Sequence, residues 1–136
     1  MKTINLFLDD IRIPNMSHNS EKGLGPNLKW VIVRDFFEFV NFVEKNFDNI
    51  NLISFDHDLA CVKDDVEYTG KSAVDWLINF CLDNDKTLPN WYVHSDNTSG
   101  KRNMISALTN YLEKVEGKDL SNFRYFHNGL INDVPV

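Results

Sequence analysis

Chemically capable residues in this chain collect directly after short apolar runs. Asp9 and Asp10 follow TINLFL, and Asp56-His57-Asp58 follows INLISF. His94-Ser95-Asp96-Asn97 follows WYV, and His127-Asn128-Gly129 follows FRYF. Carboxylates crowded at one place repel each other and need a counter-charge. A hard divalent cation supplies it, and Mg²⁺ typically takes one or two protein carboxylates plus waters and substrate phosphate oxygens. Asp9, Asp10, Asp56 and Asp58 are therefore candidate ligands for Mg²⁺ or Mn²⁺. The competing reading is a solvated turn. It weighs most on Asp58, which could simply close an Asx-turn on its own backbone.

Around this cluster lie groups suited to phosphate and to proton transfer. Arg12, two residues past the acidic pair, has the planar fork that clamps phosphate, and it could equally pair with a neighbouring aspartate. Ser95, Asn97 and Lys101 belong to SDNTSGKRN, which leads into a helix. Free N–H groups at a helix start favour anions, and Gly100 permits close backbone approach. The plainer reading is an N-cap at Thr98 or Ser99 with solvated basic side chains, and Arg102 is read that way. Three of the four histidines fall at ends of apolar runs. His94 is the first candidate for acid–base work. His57, between two aspartates, is the second, and its side chain can point to the opposite face. His127 is a weaker candidate, and His18 lies in a polar loop. Asp56, His94 and His57 are thus the candidate catalytic residues.

These side chains act together only if the elements before them are aligned. The runs at 3–8, 30–33, 50–55, 91–93 and 123–126 read as buried strands. Between them, Phe36, Phe39, Val40, Val43 and Phe47 recur at helical spacing after a candidate cap at Asp35. Residues 71–84 and 100–115 show the same periodicity. Residues 11–28 carry Pro14, Gly23, Gly25 and Pro26 without a period and read as a long loop. A polar loop runs from 59 to Gly70, and the tail 130–136 reads as irregular. Strands alternating with helices imply an α/β fold with a parallel sheet, and ligands in such sheets bind beyond the carboxyl ends of the strands.

The chain has 136 residues and a net charge of −6, with 43% hydrophobic residues. That is one domain, spanning 1–136, with enough apolar residue for a core. The acidic balance disfavours long nucleic acid but leaves room for a phosphorylated small molecule or an RNA end. No apolar run nears the roughly 20 residues of a membrane span, and MKTINLFLDD reads as a first strand and not a signal peptide, so a cytoplasmic location is expected. Cys61 and Cys81 have no metal-ligand spacing and no expected disulfide. Gly70-Lys71-Ser72 lacks the glycine-rich loop of a phosphate-binding P-loop and reads as a helix start capped by Thr69.

At these residues the chain resembles the receiver domains of two-component signalling, through LFLDD and ISFDHDL, with Asp56 at the phosphoacceptor position. The resemblance implies a receiver/flavodoxin-like three-layer sandwich with a five-stranded parallel sheet in the order 2-1-3-4-5. Where a receiver has Thr or Ser after strand four, this chain has His94. Where it has Lys-Pro after strand five, this chain has His127-Asn128. A divergent branch, the cyclic-phosphate processing receiver-like family, is more similar. Its blocks appear in order as Leu8-Asp9-Asp10-Ile11-Arg12-Ile13-Pro14, Asp56-His57-Asp58-Leu59, Thr69-Gly70 and His94-Ser95-Asp96-Asn97-Thr98-Ser99-Gly100. This resemblance implies metal-dependent processing of a cyclic phosphate, in RNA repair or in bacterial or phage conflict systems. Three other readings stay open: a signalling receiver phosphorylated on Asp56, a module that binds a cyclic nucleotide without turnover, and a protein-interaction domain.

Overall fold

The computed structural model describes residues 2–13 and 30–119, together with the backbone of 123–125 and 129–135. The readings of residues 14–28 as loop, and of His18 and His127, lie outside the described residues. Strand β1 is Ile4–Leu8, β2 is Trp30–Val33, β3 is Ile50–Phe55 and β6 is Asn90–Val93. These four pair in parallel, with β1 between β2 and β3 and with β6 beyond β3. Their side chains alternate across the sheet as the pleat requires. Leu6, Leu8, Val33, Ile53, Phe55, Trp91 and Val93 join one hydrophobic core with residues from the three helices of the described residues. Asn5, Phe7, Leu52, Ser54 and Tyr92, one step out of phase, are buried on the other face. Burial on both faces is why these strands read as continuous apolar runs.

Helix α1 (Phe36–Asn46) begins where the Asp35 side chain accepts from Glu38 N, and it buries Phe39 and Val43. A short 3-10 turn, Phe47–Asn49, joins it to β3. Helix α2 (Gly70–Asn84) starts in a reciprocal capping box between Thr69 and Ser72. It buries Ala73, Val74, Leu77 and Cys81, and ends at Asp85 in the left-handed region, φ 54°. Helix α3 (Thr98–Lys114) buries Met104, Leu108, Tyr111 and Leu112. Its cap is Asn97, not Thr98 or Ser99, because the Asn97 side-chain oxygen accepts from Gly100 N. Among the described residues, no helix is long and apolar enough to cross a membrane. Both cysteines are free.

Two expectations are corrected. The segment from 59 to Gly70 contains a hairpin, β4 (Cys61–Lys63) and β5 (Val66–Tyr68), paired antiparallel. Its two-residue turn, Asp64-Asp65, has both φ values positive, at 54° and 63°, the conformation that matches the twist of a tight hairpin. Tyr68 stacks on Phe36 at 4.9 Å, and Lys63 Nζ lies 4.8 Å over the Phe37 ring. These contacts fasten the hairpin to the start of α1.

The second correction concerns the last strands. The parallel sheet has four strands, not five, and the order is not 2-1-3-4-5. Segment 129–135, read as an irregular tail, forms β8 (Gly129–Pro135) and pairs antiparallel with β6. The expected fifth parallel strand is β7 (Phe123–Tyr125), which lies outside β8 and pairs with it alone. The full order is β2-β1-β3-β6-β8-β7. Helix α3 leads from β6 to β7, and β8 then fills the place between them, antiparallel to both, so the position beside β6 that a fifth parallel strand would take is occupied by an antiparallel one.

Candidate functional site

Sheet register assembles the site. Leu8 pairs with Phe55, and Phe55 pairs with Val93. The next residue on each strand is therefore a cross-strand neighbour, and backbone bonds hold all three in line. Asp9 N donates to Val33 O (3.2 Å), Asp56 N to Leu8 O (2.9 Å) and His94 N to Phe55 O (2.9 Å). By the same alternation Asp9, Asp56 and His94 point to the face opposite the helices. The chain visits β2 on one side of β1 and β3 on the other, so Asp9 and Asp56 line the crevice where the topology switches.

Ligand atoms of Asp9, Asp56 and His94 lie within 4.8 Å of one another. Asp9 is fully buried and Asp56 nearly so. His94 Nε2 is 3.0 Å from Asp9 Oδ2, and its Nδ1 is 2.7 Å from Ser54 Oγ. The His94 ring stacks on Phe7, centroids 4.4 Å apart and planes nearly parallel. Asp9 Oδ1 accepts from Ile11 N (3.0 Å) and Arg12 N (2.8 Å). Burial pushes the Asp9 carboxyl up, but the bonds from His94, Arg12 and Ile11 outweigh it and hold the group well below the usual range. Asp56 goes the other way. Burial, then the neighbouring charge of Asp9, raise it against the bond from His57 N and the charges of His94 and Arg12. One buried carboxylate is thus satisfied, and for its neighbour the nearby positive charge is outweighed by burial and by Asp9.

Two carboxylates and an imidazole, close together and buried, fit a divalent cation. An oxygen-rich set with one imidazole suits Mn²⁺ and softer ions as well as Mg²⁺.

A second polar group lies beside this one. His57 Nδ1 is 2.8 Å from Asp58 Oδ1, and Asn97 Nδ2 reaches both Asp58 oxygens at 3.3 and 3.4 Å. The bond with His57, opposed by slight burial and helped by Asn97, holds Asp58 below the usual carboxylate range. Since a carboxylate only accepts, Nδ1 carries the proton, and Nε2 has no partner among the described residues. Glycines seat this ring. A Cβ on Gly100 would collide with the His57 ring, and one on Gly70 with the Asp56 carbonyl. Gly70 N also donates to His57 O at 2.7 Å.

The structure therefore brings Asp9, Asp56 and His94 into one cluster and His57, Asp58 and Asn97 into another. Asp10 joins neither. Arg12 lies at the edge of the first, its Nε 3.6 Å from Asp9 Oδ2 and one amino group 3.0 Å from the exposed Asp96. Ser95 is buried, with Oγ accepting from Asn97 N. Lys101 belongs to neither cluster and lines a cavity on α3.

Sequence reasoning missed two residues. Ser54 was legible as the one hydroxyl in INLISF, two positions before Asp56 and so on its face. Arg34 directly follows WVIV, and its Nη1 donates to Asp9 O (3.2 Å) and Arg12 O (2.7 Å), tying down the loop after β1.

A family model described as cyclic-phosphate processing Receiver domain matches residues 4–110. The match takes in both polar groups and α3 up to Asn110. Comparisons with curated proteins and with solved structures returned no match.

Proposed function

The chain belongs to the cyclic-phosphate processing receiver domain family, and from that premise we propose that it hydrolyses a cyclic phosphodiester with the help of a divalent metal. The observation that carries this reading is the buried Asp9, Asp56 and His94 cluster at the switch point of the sheet. These three residues would hold the ion, Mg²⁺ or Mn²⁺. When bound, the ion would acidify a water and neutralise charge gathering on phosphorus.

The chain's own residues account for the rest. Arg12 is 45% exposed in its side chain and is paired on the surface with Asp96. Such a pair is weak, so the guanidinium can exchange Asp96 for phosphate oxygens. Water oxygen forms a new bond to phosphorus and gives up one proton to solvent, one ring P–O bond breaks, and the departing ring oxygen takes a proton from an acid of the site. His57 suits that donation better than His94. Asp58 fixes its Nδ1–H, so that in the imidazolium form the Nε2–H is left to donate, whereas both His94 nitrogens are already engaged, with Asp9 and Ser54. Asp58 then orients the acid and does not bind the ion.

The substrate class is a terminal 2′,3′-cyclic phosphate of RNA or a cyclic nucleotide. Incubation of the purified protein with a panel of cyclic phosphates, with Mg²⁺, Mn²⁺ or chelator, tests this by mass spectrometry. A product heavier by one water, formed only with metal and lost in Asp9→Asn and Asp56→Asn, is expected. Hydrolysis undiminished in both variants overturns the reading. A ligand returned unchanged by metal-loaded protein favours a binding module, and an acid-labile phosphate on Asp56 favours a signalling receiver.

A further inference from the structure

A cavity of about 260 Å³ opens on the flank of α3, lined by Thr98, Lys101, Arg102, Ile105 and Ser106. These positions, at i, i+3, i+4, i+7 and i+8, form one stripe of the helix. The stripe lies to the side of the Met104 and Leu108 face that meets the core. Two cations and two hydroxyls face the same space, and among the described residues no carboxylate lines it.

Three other cations lie against carboxylates, Lys71 with Asp75, Lys86 with Asp48 and Arg12 with Asp96, while Arg34 is held by backbone carbonyls and Lys63 lies over Phe37. Lys101 and Arg102 have no such partner among the described residues. Thr98, Ser99, Ile105 and Ser106 occupy the positions where a helix would place one. Arginine and lysine beside hydroxyl donors are the groups that bind phosphate. The cavity has room for a phosphate group between these side chains.

The cavity starts beside the site. Thr98 directly follows Asn97, whose amide reaches Asp58 next to His57. We infer that the Lys101 and Arg102 cavity holds the phosphodiester adjacent to the reacting nucleotide, so that the substrate is an oligonucleotide end and not a free mononucleotide. This rests on the reading of the neighbouring site as a cyclic-phosphate site. A single backbone phosphate is also compatible with a chain too acidic to hold long nucleic acid.

The test compares a trinucleotide ending in a 2′,3′-cyclic phosphate with the corresponding cyclic mononucleotide, in binding and in turnover. Both are run with Mn²⁺ on wild type and on K101Q/R102Q. Wild type is expected to hold the trinucleotide about tenfold tighter, the value of one charge-assisted phosphate contact. In K101Q/R102Q that preference disappears and its salt dependence flattens, with mononucleotide affinity unchanged. Equal affinity of wild type for the two ligands, or a preference that survives in the variant, overturns the inference. Equal losses for both ligands overturn it too, because the cavity would then be supporting the fold or the first site. If neither ligand is hydrolysed but the preference is present and lost in the variant, the hydrolase reading fails and the phosphate cavity stands.

Discussion

Ser54 is a fully buried hydroxyl in an apolar strand, and its partner is His94 Nδ1 at 2.7 Å. A hydroxyl can donate or accept, so it serves either tautomer. With His94 Nε2 donating to Asp9, Ser54 donates to Nδ1. With Nε2 on a cation, Nδ1 carries the proton and Ser54 accepts it. Removing such an outer partner typically weakens metal binding by about 10–100-fold. Ser54→Ala is therefore expected to reduce Mn²⁺ affinity within that range in calorimetric titration, with unfolding nearly unchanged. Affinity equal to wild type would mean that His94 is not a ligand. Asp58 gives the complementary case. It is 66% exposed, bonds to His57 and lies outside the metal cluster. Asp58→Asn should leave Mn²⁺ affinity unaltered and lower kcat, by part of the about 10²–10⁴-fold that a positioned acid supplies. A loss of affinity instead would return Asp58 to the ligand set.

At the scale of elements, caps separate stability from function. Asp35 caps α1 and Asn97 caps α3, each through a side-chain oxygen at 2.9 Å from a backbone N–H. Loss of such a cap costs about 1 kcal/mol. Asp35→Ala and Asn97→Ala should show similar losses in urea unfolding. Only Asn97→Ala should depress turnover, because its amide also holds Asp58 and lies 3.4 Å from His57. A matching loss of turnover in Asp35→Ala would make the effect global. The same elements show what the sequence carried. The strands at 4–8, 30–33, 50–55 and 90–93 and the three helices announced themselves by apolar runs and helical spacing, within two residues at their ends. The hairpin did not, since its strands are three residues long and mostly exposed, and Asp64-Asp65 lacks the glycine that marks a tight turn. β8 is held by backbone pairing on both sides, and composition does not record that. In the site, strand parity was the missing step. Successive residues point to opposite faces, so Asp9 and His94 meet on one face while Asp10 turns away, and the order of letters in Asp9-Asp10 does not say which one faces inward.

At the scale of the whole molecule, the site opposes the fold that holds it. Folding depresses the Asp9 pKa, so Asp9 contributes stability above its ordinary value of 3.8 and loses it on acidification. Folding raises Asp56, an effect of burial and then of Asp9. A raised carboxyl binds its proton more readily in the native state than in the unfolded one. Its contribution is fully present below 3.8, declines as pH rises through the raised folded value, and is a standing cost at neutral pH. Replacing that carboxylate with an amide of the same shape removes the cost. Asp56→Asn in chelator at pH 7 should therefore be more stable than wild type, by about 0.5–2 kcal/mol, as for other stabilising substitutions. A bound cation relieves the same strain, and a ligand held only by the native state adds about 2.7 kcal/mol at a hundredfold excess over Kd. Urea unfolding with and without Mn²⁺ separates the two effects. Wild type should gain stability from the metal and Asp56→Asn should not, so that the order of stability reverses when metal is added. If the two proteins gain equally, the ion is bound elsewhere. If Asp56→Asn is the less stable of the two in chelator, Asp56 serves the fold through its bond with His57 N and the cluster is not poised for a cation.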